Sequence, residues 1–458
     1  MSRASSSAHF LHSDMDVIPF PKFATNAIHI GNEPERNGAS HDLVTPISLA
    51  VTFGQIEPGV FKVHDYARGG NPTRDSVERS LAAAENAAHT VTFSSGTGAL
   101  SAIMQLIGSG DEVVSMASLY GGTYTYFDNI ATKNGIRIVY LDVTDADKLH
   151  HALSRNTRMV YLESPVNPSM RVIDIEAVVR SVKGYNKDII TVLDNSFTTP
   201  YFLRPLDLGV DISYQSVSKY MGGHADVMMG SASVNSEDLA NRLKYLQNNM
   251  GAIPSPFDCY LILRSLKTLH IRMREHMKNG LLVAKFLERH PCVEKVNHPG
   301  LPSHPNYELF KKQSRGCSGI FSFYLSGGKT ELFKFFRHLK IFTVAASFGG
   351  CESVCSFPTV MSHKGVQPKV LQAAGVTDNL ARLSIGLEDV EDLMEDLDQA
   401  LWSSGARKGY QQQQQQTSPT STDSRRDRRG SQKIKIVNTQ ATQTGVAEVE
   451  TPRFARRY

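Results

Sequence analysis

The stretch IITVLDNSFTTPYFLRPLDLGVDISYQSVSK (residues 189–219) contains two short apolar runs, each followed by polar side chains. The first run, IITVL, ends at Asp194, and the second, DISYQ, is followed by SVSK with Lys219. Both runs have the length and the β-branched content of buried strands. A carboxylate at the end of a buried strand is costly unless it meets a positive partner. The stretch therefore predicts two strands whose ends bring Asp194 and Lys219 to one crevice.

The same alternation of short strands and helical patterns continues over about residues 88–235. Amphipathic stretches such as DKLHHALSR and DIEAVVRSVKGY separate several of the strand candidates. This rhythm predicts an α/β fold whose mainly parallel sheet is covered by helices on both faces, with ligands bound at the carboxyl ends of the strands. The five further strand candidates are TVTF (90–93), EVVSM (112–116), RIVYL (137–141), RMVYLE (158–163) and VMMGSASV (227–234).

Residues with useful chemistry follow these strands. TVTF is followed by the turn SSGTGAL (94–100), EVVSM by Tyr120, and RMVYLE by Asn167. A turn of small residues lets backbone N–H groups approach a phosphate, although a tight turn before any helix looks the same. With Asp194 and Lys219, the set supplies what pyridoxal 5′-phosphate requires: a phosphate cradle, a ring for stacking, an acid for the pyridine nitrogen and a lysine for the aldehyde. If Lys219 were only a solvated loop residue, this convergence would have no explanation.

The composition indicates a soluble globular protein of more than one domain. The chain has 458 residues, 41% hydrophobic and 21% charged, and no apolar run approaches the ~18–20 residues that span a bilayer. The N-terminal segment lacks an apolar signal core and carries Asp14 and Asp16, which argues against a transit peptide. The five cysteines are scattered, and Cys351 and Cys355 lack the second Cys/His pair of a metal site. We therefore expect a cytoplasmic protein with neither a membrane segment nor a metal.

Residues 405–458 differ in composition from the rest of the chain. They contain six consecutive glutamines and eleven Lys/Arg against four Asp/Glu, so the tail carries +7 while the whole chain carries +4. The remainder is therefore about −3, which argues against a nucleic-acid enzyme. The low apolar content predicts a disordered tail. Its SRRDRRGSQKIK segment is similar to a nuclear-import or anionic-surface patch, but a simply solvated tail is the favoured interpretation.

Several ordered motifs resemble the Cys/Met-metabolism family of pyridoxal-phosphate enzymes. They are YARGGNPTR, FSSGTGA, LYGGTY, ESPVNP, LDNSFTTPYFLRPLDLGVDISYQSVSKYMGGHADVMMGS and ARLSIGLED, within roughly residues 22–402. The resemblance implies the aspartate-aminotransferase-like fold (fold type I), with a large cofactor domain and a smaller C-terminal α/β domain. The divisions we expect are an N-terminal extension and inter-subunit arm (1–65), a cofactor domain (66–260), a substrate-side domain (261–404) and the tail (405–458).

The resemblance implies roles for three residues at the reacting centre. Lys219 would bind the cofactor's aldehyde carbon covalently and, once displaced by the substrate amine, move protons between Cα and Cβ. Tyr120 would stack on the cofactor ring and give a proton to the leaving group. Asp194 would keep the pyridine nitrogen protonated.

Further residues would bind the cofactor phosphate and the substrate. The phosphate contacts would come from Ser216, Ser218, the backbone of Gly96 and Thr97, and, from the neighbouring subunit, Tyr66 and Arg68. Asn167 would bond the cofactor's phenolic oxygen or the substrate carboxylate. Arg382 would clamp the α-carboxylate bidentately, with Ser347 as a weaker candidate. The resemblance thus implies a homodimer with shared active sites, and by extension a tetramer.

The activity implied is γ-elimination from a small sulfur amino acid. With cystathionine the products would be cysteine, 2-oxobutanoate and ammonia. In the family members that cleave cystathionine, a glutamate precedes the serine of SFGG and an arginine follows YGGTN, whereas this chain has Ala346 and Thr125. Cleavage of methionine, or γ-replacement on O-acetylhomoserine, therefore stays open. A remote alternative is a non-catalytic relative that binds partners through its tail.

Overall fold

The computed structural model describes residues 19–407, except 117, 144–145, 365, 367–370 and 373. Residues 1–18 of the predicted N-terminal extension and 408–458 of the predicted tail lie outside the described residues. Those that are described fall within one compact unit. The predicted boundary near residue 260 stays a prediction.

A seven-stranded sheet is built from the part of the chain that the sequence identifies as α/β. Its strand order is β3-β9-β8-β7-β6-β4-β5, and every strand is parallel to the others except β9, which is antiparallel to both of its neighbours. The prediction of a mainly parallel sheet is confirmed. After the hairpin β1 (Gln55–Glu57) and β2 (Val60–Phe61), the strands are β3 (His89–Phe93), β4 (Glu112–Met116), β5 (Arg137–Leu141), β6 (Thr157–Glu163), β7 (Ile190–Asp194), β8 (Ile212–Gln215) and β9 (Gly230–Val234).

Several helices begin at a residue whose side chain accepts free backbone N–H groups. Asn71 accepts the N–H groups of Thr73 and Arg74 at the start of α2, where Pro72 takes the first position. The helices are α1 (Phe23–His29), α2 (Pro72–Glu85), α3 (Gly96–Met104), α4 (Gly121–Tyr126), α5 (Ala146–Ala152), α6 (Ile175–Tyr185), α7 (Thr199–Phe202), α8 (Glu237–Met250), α9 (Pro256–Leu266), α10 (Leu269–Arg289), α11 (Tyr307–Gln313), α12 (Lys329–His338) and α13 (Val390–Ser404). Among the described residues, no helix has both the length and the apolar character needed to cross a bilayer.

A second, five-stranded sheet follows α10. Its order is β10-β11-β14-β13-β12, and its neighbouring strands are antiparallel except for the β12–β13 pair. Fully buried side chains such as Phe321 and Leu383 pack this sheet into a core with α9 and α10, while the strands of the large sheet form a separate apolar cluster. The strands are β10 (Val293–Asn297), β11 (Ile320–Leu325), β12 (Thr343–Val344), β13 (Val354–Ser356) and β14 (Leu380–Ser384).

Candidate active site

Lys219 lies in the turn that follows β8. The turn is closed by its own backbone, since the Lys219 N–H donates to the Ser216 carbonyl (3.1 Å) and the Gly223 N–H donates to the Lys219 carbonyl (2.7 Å). The Lys219 amine donates to the Ser347 hydroxyl at 2.7 Å. Burial and, to a smaller extent, the Arg382 charge lower the pKa of this amine to about 8, although the Asp194 charge acts in the opposite direction. An amine with such a pKa is partly neutral near physiological pH, as a nucleophile or a base must be.

Asp194 is the last residue of β7, as the sequence predicts. The Ser196 N–H donates to its Oδ1 at 2.9 Å. Burial raises the pKa of Asp194 to about 6, while the Ser196 hydrogen bonds and the Lys219 charge lower it. The carboxylate therefore lies where a second positive group would be stabilised.

Arg382 of β14 connects the small sheet to the large one. Its Nη1 donates to the Asn167 side-chain oxygen (3.0 Å), and its Nη2 donates to the Ser347 carbonyl (2.8 Å). The residue is only 3% exposed, and burial lowers the pKa of its guanidinium to about 10. Arg382 is thus in direct contact with both of the other predicted substrate contacts, Asn167 and Ser347.

Ser347 has an unusual backbone conformation. Its φ is +87°, in the left-handed region that a residue other than glycine rarely adopts. Such strain persists only where the surroundings enforce it, and it is common at active sites. Here the conformation presents the Ser347 hydroxyl to Lys219 and its carbonyl to Arg382.

Gly96 and Ser216 meet at the start of α3, where the sequence predicts a phosphate cradle. A Cβ on Gly96 would lie 2.9 Å from the Tyr214 hydroxyl and 3.2 Å from the Ser216 hydroxyl, so a side chain there would occupy the cradle. Thr97, the next residue, is exposed. Ser218 lies close by, but its hydroxyl donates to the Met229 carbonyl (3.1 Å) and accepts the Met229 N–H (2.9 Å). Its predicted phosphate contact stays a prediction.

Tyr120 precedes α4 and is 45% exposed. Its backbone N–H donates to a carboxylate oxygen of Glu163 at 3.0 Å, which fixes the chain at this point while the ring stays accessible. An accessible ring beside the strand ends is what stacking on a flat cofactor would need. The stacking itself stays a prediction.

Tyr66 and Arg68 are not brought to Lys219 in the single chain. They line an open cavity of about 590 Å³ that none of the other predicted site residues lines. Arg68 Nε donates to the Asn248 side-chain oxygen at 3.1 Å, and its guanidinium lies 5.5 Å from the centre of the Tyr66 ring. Their predicted role in a neighbouring subunit stays a prediction.

Glu163, which sequence reasoning missed, is the last residue of β6 and is 5% exposed. It lies directly beside Asp194 in the β6–β7 register, and its carboxylate accepts the N–H groups of both Tyr120 and Asn167. Burial and the Asp194 charge raise the pKa of Glu163 to about 8. The available signal was the one that identified Asp194, an acid that closes a buried strand.

The donor set fits pyridoxal phosphate: an amine of lowered pKa, an acid, an amide and a cradle free of side chains. Residues 24–402 match the family described as Cys/Met metabolism PLP-dependent enzyme. The chain belongs to this family, whose members depend on pyridoxal phosphate, and the fold type I assignment is confirmed.

Its relatives include human cystathionine gamma-lyase, which is 49% identical over 390 residues, 85% of this chain and 96% of the human one. Among solved structures, cystathionine gamma-lyase from Lactobacillus plantarum complexed with L-serine superposes with a TM-score of 0.80. The two are 35% identical, and the match covers 84% of this chain and 100% of the bacterial one. Cystathionine gamma synthase from Xanthomonas oryzae pv. oryzae in complex with cystathionine has a TM-score of 0.81 and 36% identity, over 84% and 98% of the two chains.

Proposed function

We infer that this chain is a pyridoxal-phosphate-dependent carbon–sulfur lyase that cleaves L-cystathionine by γ-elimination to cysteine, 2-oxobutanoate and ammonia. The observation that carries the proposal is the double contact of Ser347. Its hydroxyl accepts the Lys219 amine at 2.7 Å, and its carbonyl accepts Arg382 Nη2 at 2.8 Å. An α-carboxylate bound by Arg382 would therefore place the Cα of an amino acid beside the Lys219 amine. The choice of cystathionine as the substrate rests on the names of the relatives.

Several residues of this chain would hold the cofactor. Lys219 would bind its aldehyde carbon, and Asp194 would pair with its ring nitrogen. Asn167 would bond its phenolic oxygen, and the Gly96 cradle with Ser216 would receive its phosphate. When bound, the cofactor supplies an electron sink that stabilises negative charge at the substrate Cα.

Lys219 and Tyr120 would move the protons. The Lys219 amine would take the proton from Cα, release it to the bound cofactor and so become neutral again, and then remove a proton from Cβ; the positive charge of Arg382 favours the neutral form. The Tyr120 hydroxyl would give a proton to the departing γ-sulfur. Arg382 would orient the substrate so that the bonds being broken face these two groups.

Replacement of Lys219 tests the proposal. We expect Lys219→Ala to abolish turnover while leaving the fold intact, because no other residue of the site can both bind the aldehyde and transfer protons. Lys267→Ala is the control, since burial lowers the pKa of this lysine too but it lies at the end of α9. Borohydride reduction followed by peptide mapping should place the cofactor on Lys219, and a label on another lysine would refute the assignment.

A second candidate activity is γ-elimination from methionine. It is favoured by Ala346 and Thr125, because both are exposed and neither supplies a charge for the distal amino-acid head of cystathionine. The Thr125 hydroxyl is already bonded to the Gly121 carbonyl at 2.8 Å. Assays of 2-oxobutanoate release from cystathionine, methionine, homocysteine and O-acetylhomoserine decide between the two activities.

We also propose a homodimer with shared active sites, which pairs further into a tetramer. Large apolar side chains are exposed along the segment before α2, including Leu43, Leu49, Ile56 and Val63, and Tyr66 and Arg68 follow directly. Apolar surface of this extent is typical of a protein interface. A cytoplasmic location is consistent with the cysteines, all five of which are unpaired.

Hybrid oligomers test the sharing of sites. Chains carrying Arg68→Ala and chains carrying Lys219→Ala should each be inactive alone. If Arg68 serves the neighbouring subunit, a random mixture of the two chains regains about a quarter of the wild-type activity, because half of the dimers hold one intact site. If Arg68 serves its own chain, the mixture stays inactive and the shared-site proposal is wrong.

A further inference from the structure

Glu163 accepts one backbone N–H on each oxygen of its carboxylate. Oε2 accepts the N–H of Tyr120 at 3.0 Å, and Oε1 accepts the N–H of Asn167 at 2.6 Å. Neither N–H has another acceptor among the hydrogen bonds of the described residues. One buried side chain therefore satisfies two loop amides that the sheet itself does not reach.

The two loops joined in this way carry different parts of the site. The loop after β4 carries the Tyr120 ring, and the loop after β6 carries Asn167, whose side-chain oxygen accepts Arg382 Nη1 at 3.0 Å. Glu163 thus holds the backbone of Tyr120, whose ring is predicted to stack on the cofactor. It also holds the backbone of Asn167, which contacts the predicted carboxylate-binding residue Arg382. It is itself too buried to be a direct contact for a substrate.

Groups on several elements act on the buried carboxyl group of Glu163 and change its pKa. Asp194 of β7 lies beside it in register, and Arg382 is the cation whose charge acts on it. Tyr161 of the same strand and Tyr214 of β8 also interact electrostatically with Glu163. Two backbone bonds and one cation offset only part of the cost of burying the acid beside Asp194, since the pKa of Glu163 stays raised.

We propose that Glu163 is a positioning residue that fixes the Tyr120 and Asn167 loops through its two acceptor oxygens, and through Asn167 orients Arg382. We call the two hydrogen bonds from the Tyr120 and Asn167 amides to Glu163 the tether. The effect of Glu163 on catalysis rests on the proposed function, but the tether itself does not. A carboxylate is required because a glutamine offers one acceptor oxygen and turns an NH₂ group toward the second N–H, which has no proton acceptor left.

Amide hydrogen exchange on the holoenzyme tests the tether independently of any assay. We expect Glu163→Gln and Glu163→Ala to speed exchange at the Tyr120 and Asn167 amides by at least about tenfold, because an amide that loses its acceptor opens more readily. The control is Glu112→Gln, which alters a buried acid at the start of β4, bonded to the Thr157 and Ser154 hydroxyls. Unchanged exchange at both amides in Glu163→Gln overturns the proposal.

Kinetic measurements on Glu163 variants distinguish a role of its two acceptor oxygens from a role of its side-chain volume. Glutamine matches the volume of Glu163, whereas aspartate keeps two acceptor oxygens on a shorter stem. We expect Glu163→Asp to retain more kcat/KM than Glu163→Gln, with the loss in Glu163→Gln at least about tenfold and shared between kcat, through Tyr120, and KM, through Arg382. If the glutamine variant is the better enzyme, volume and not the tether is what matters, and the proposal fails. If neither wild type nor variants turn over any tested amino acid but the exchange result holds, only the proposed function fails.

Discussion

At Lys219, two neighbouring charges act in opposite directions on one amine. Arg382 lowers its pKa, and Asp194 raises it, while burial lowers it most. The amine is therefore protonated below about pH 8 and increasingly neutral above it. Removal of Arg382 should move that midpoint up, and removal of Asp194 should move it down.

The pH dependence of Lys219 can be measured on the cofactor-free protein. We expect the rate of labelling of Lys219 by an amine-reactive reagent to rise through a midpoint near pH 8. Arg382→Gln should raise the midpoint and Asp194→Asn should lower it, so each variant is the control for the other. A midpoint near the ordinary lysine value of ~10.4 in the wild type would show that the amine is not perturbed.

The distal end of the pocket gives a second prediction at the residue scale. Cystathionine brings a carboxylate and an ammonium there, and desolvating them without partners is costly. We expect Ala346→Glu with Thr125→Arg to raise the cystathionine-to-methionine ratio of kcat/KM at least about tenfold, or about 1.4 kcal/mol. Replacement of both positions by glutamine adds length without charge and is the control. A strong natural preference for cystathionine that the charged pair leaves unchanged would show that other residues bind the distal head.

At the scale of elements, the start of α3 is defined by the lack of a side chain at Gly96. The Cβ of an alanine would lie 2.9 Å from the Tyr214 hydroxyl and 3.2 Å from the Ser216 hydroxyl, where the phosphate is expected. The same substitution at Gly184 in α6 meets no atom within 4 Å. The two glycines therefore separate the effect of the cradle from the helix propensity of alanine.

We expect Gly96→Ala to weaken cofactor binding at least about tenfold, measured by titration of the cofactor-free protein. Gly184→Ala should leave cofactor binding unchanged and stabilise the fold by about 0.5–1 kcal/mol, because alanine has less backbone freedom to lose in the unfolded state. Equal cofactor affinity in Gly96→Ala and wild type would contradict the phosphate cradle.

The strands of the large sheet could be predicted because they are short, continuous apolar runs between turn signals. The run 227–234 is the one whose start differs most, since β9 begins at Gly230. The physical reason is that Met229 is hydrogen-bonded to Ser218 in the turn that contains Lys219: its carbonyl accepts the Ser218 N–H and hydroxyl, and its N–H donates to the Ser218 hydroxyl. RMVYLE has the apolar pattern of a strand, and that pattern by itself does not identify its last residue, Glu163, as a polar group at the crevice.

At the scale of the whole molecule, the family motifs name candidate site residues, but they do not say which of these residues lie together in one chain. In the structure the charges of Asp194 and Arg382 both act on the Lys219 amine. Tyr66 and Arg68 line a different surface, and a sequence pattern within one chain contains no information on which chain a side chain serves. Only the oligomer can decide their role.

The tail gives a prediction at the same scale. We expect a chain that ends after Gly409 to keep its turnover and its oligomeric state, because residues beyond that point have little apolar content with which to dock. Steady-state kinetics and sedimentation of the truncated chain beside the full one provide the measurement. A large fall in kcat, or smaller particles after truncation, would show that the tail is structural.

At Ser347, a substitution that increases thermostability is expected to decrease turnover. Glycine adopts a φ of +87° without the steric cost that serine bears, so Ser347→Gly should relieve strain worth roughly 1 kcal/mol. The same exchange deletes the hydroxyl that meets the Lys219 amine. A search for heat resistance that replaces non-glycine residues of positive φ by glycine would thus include Ser347, at the expense of its hydrogen bond to Lys219.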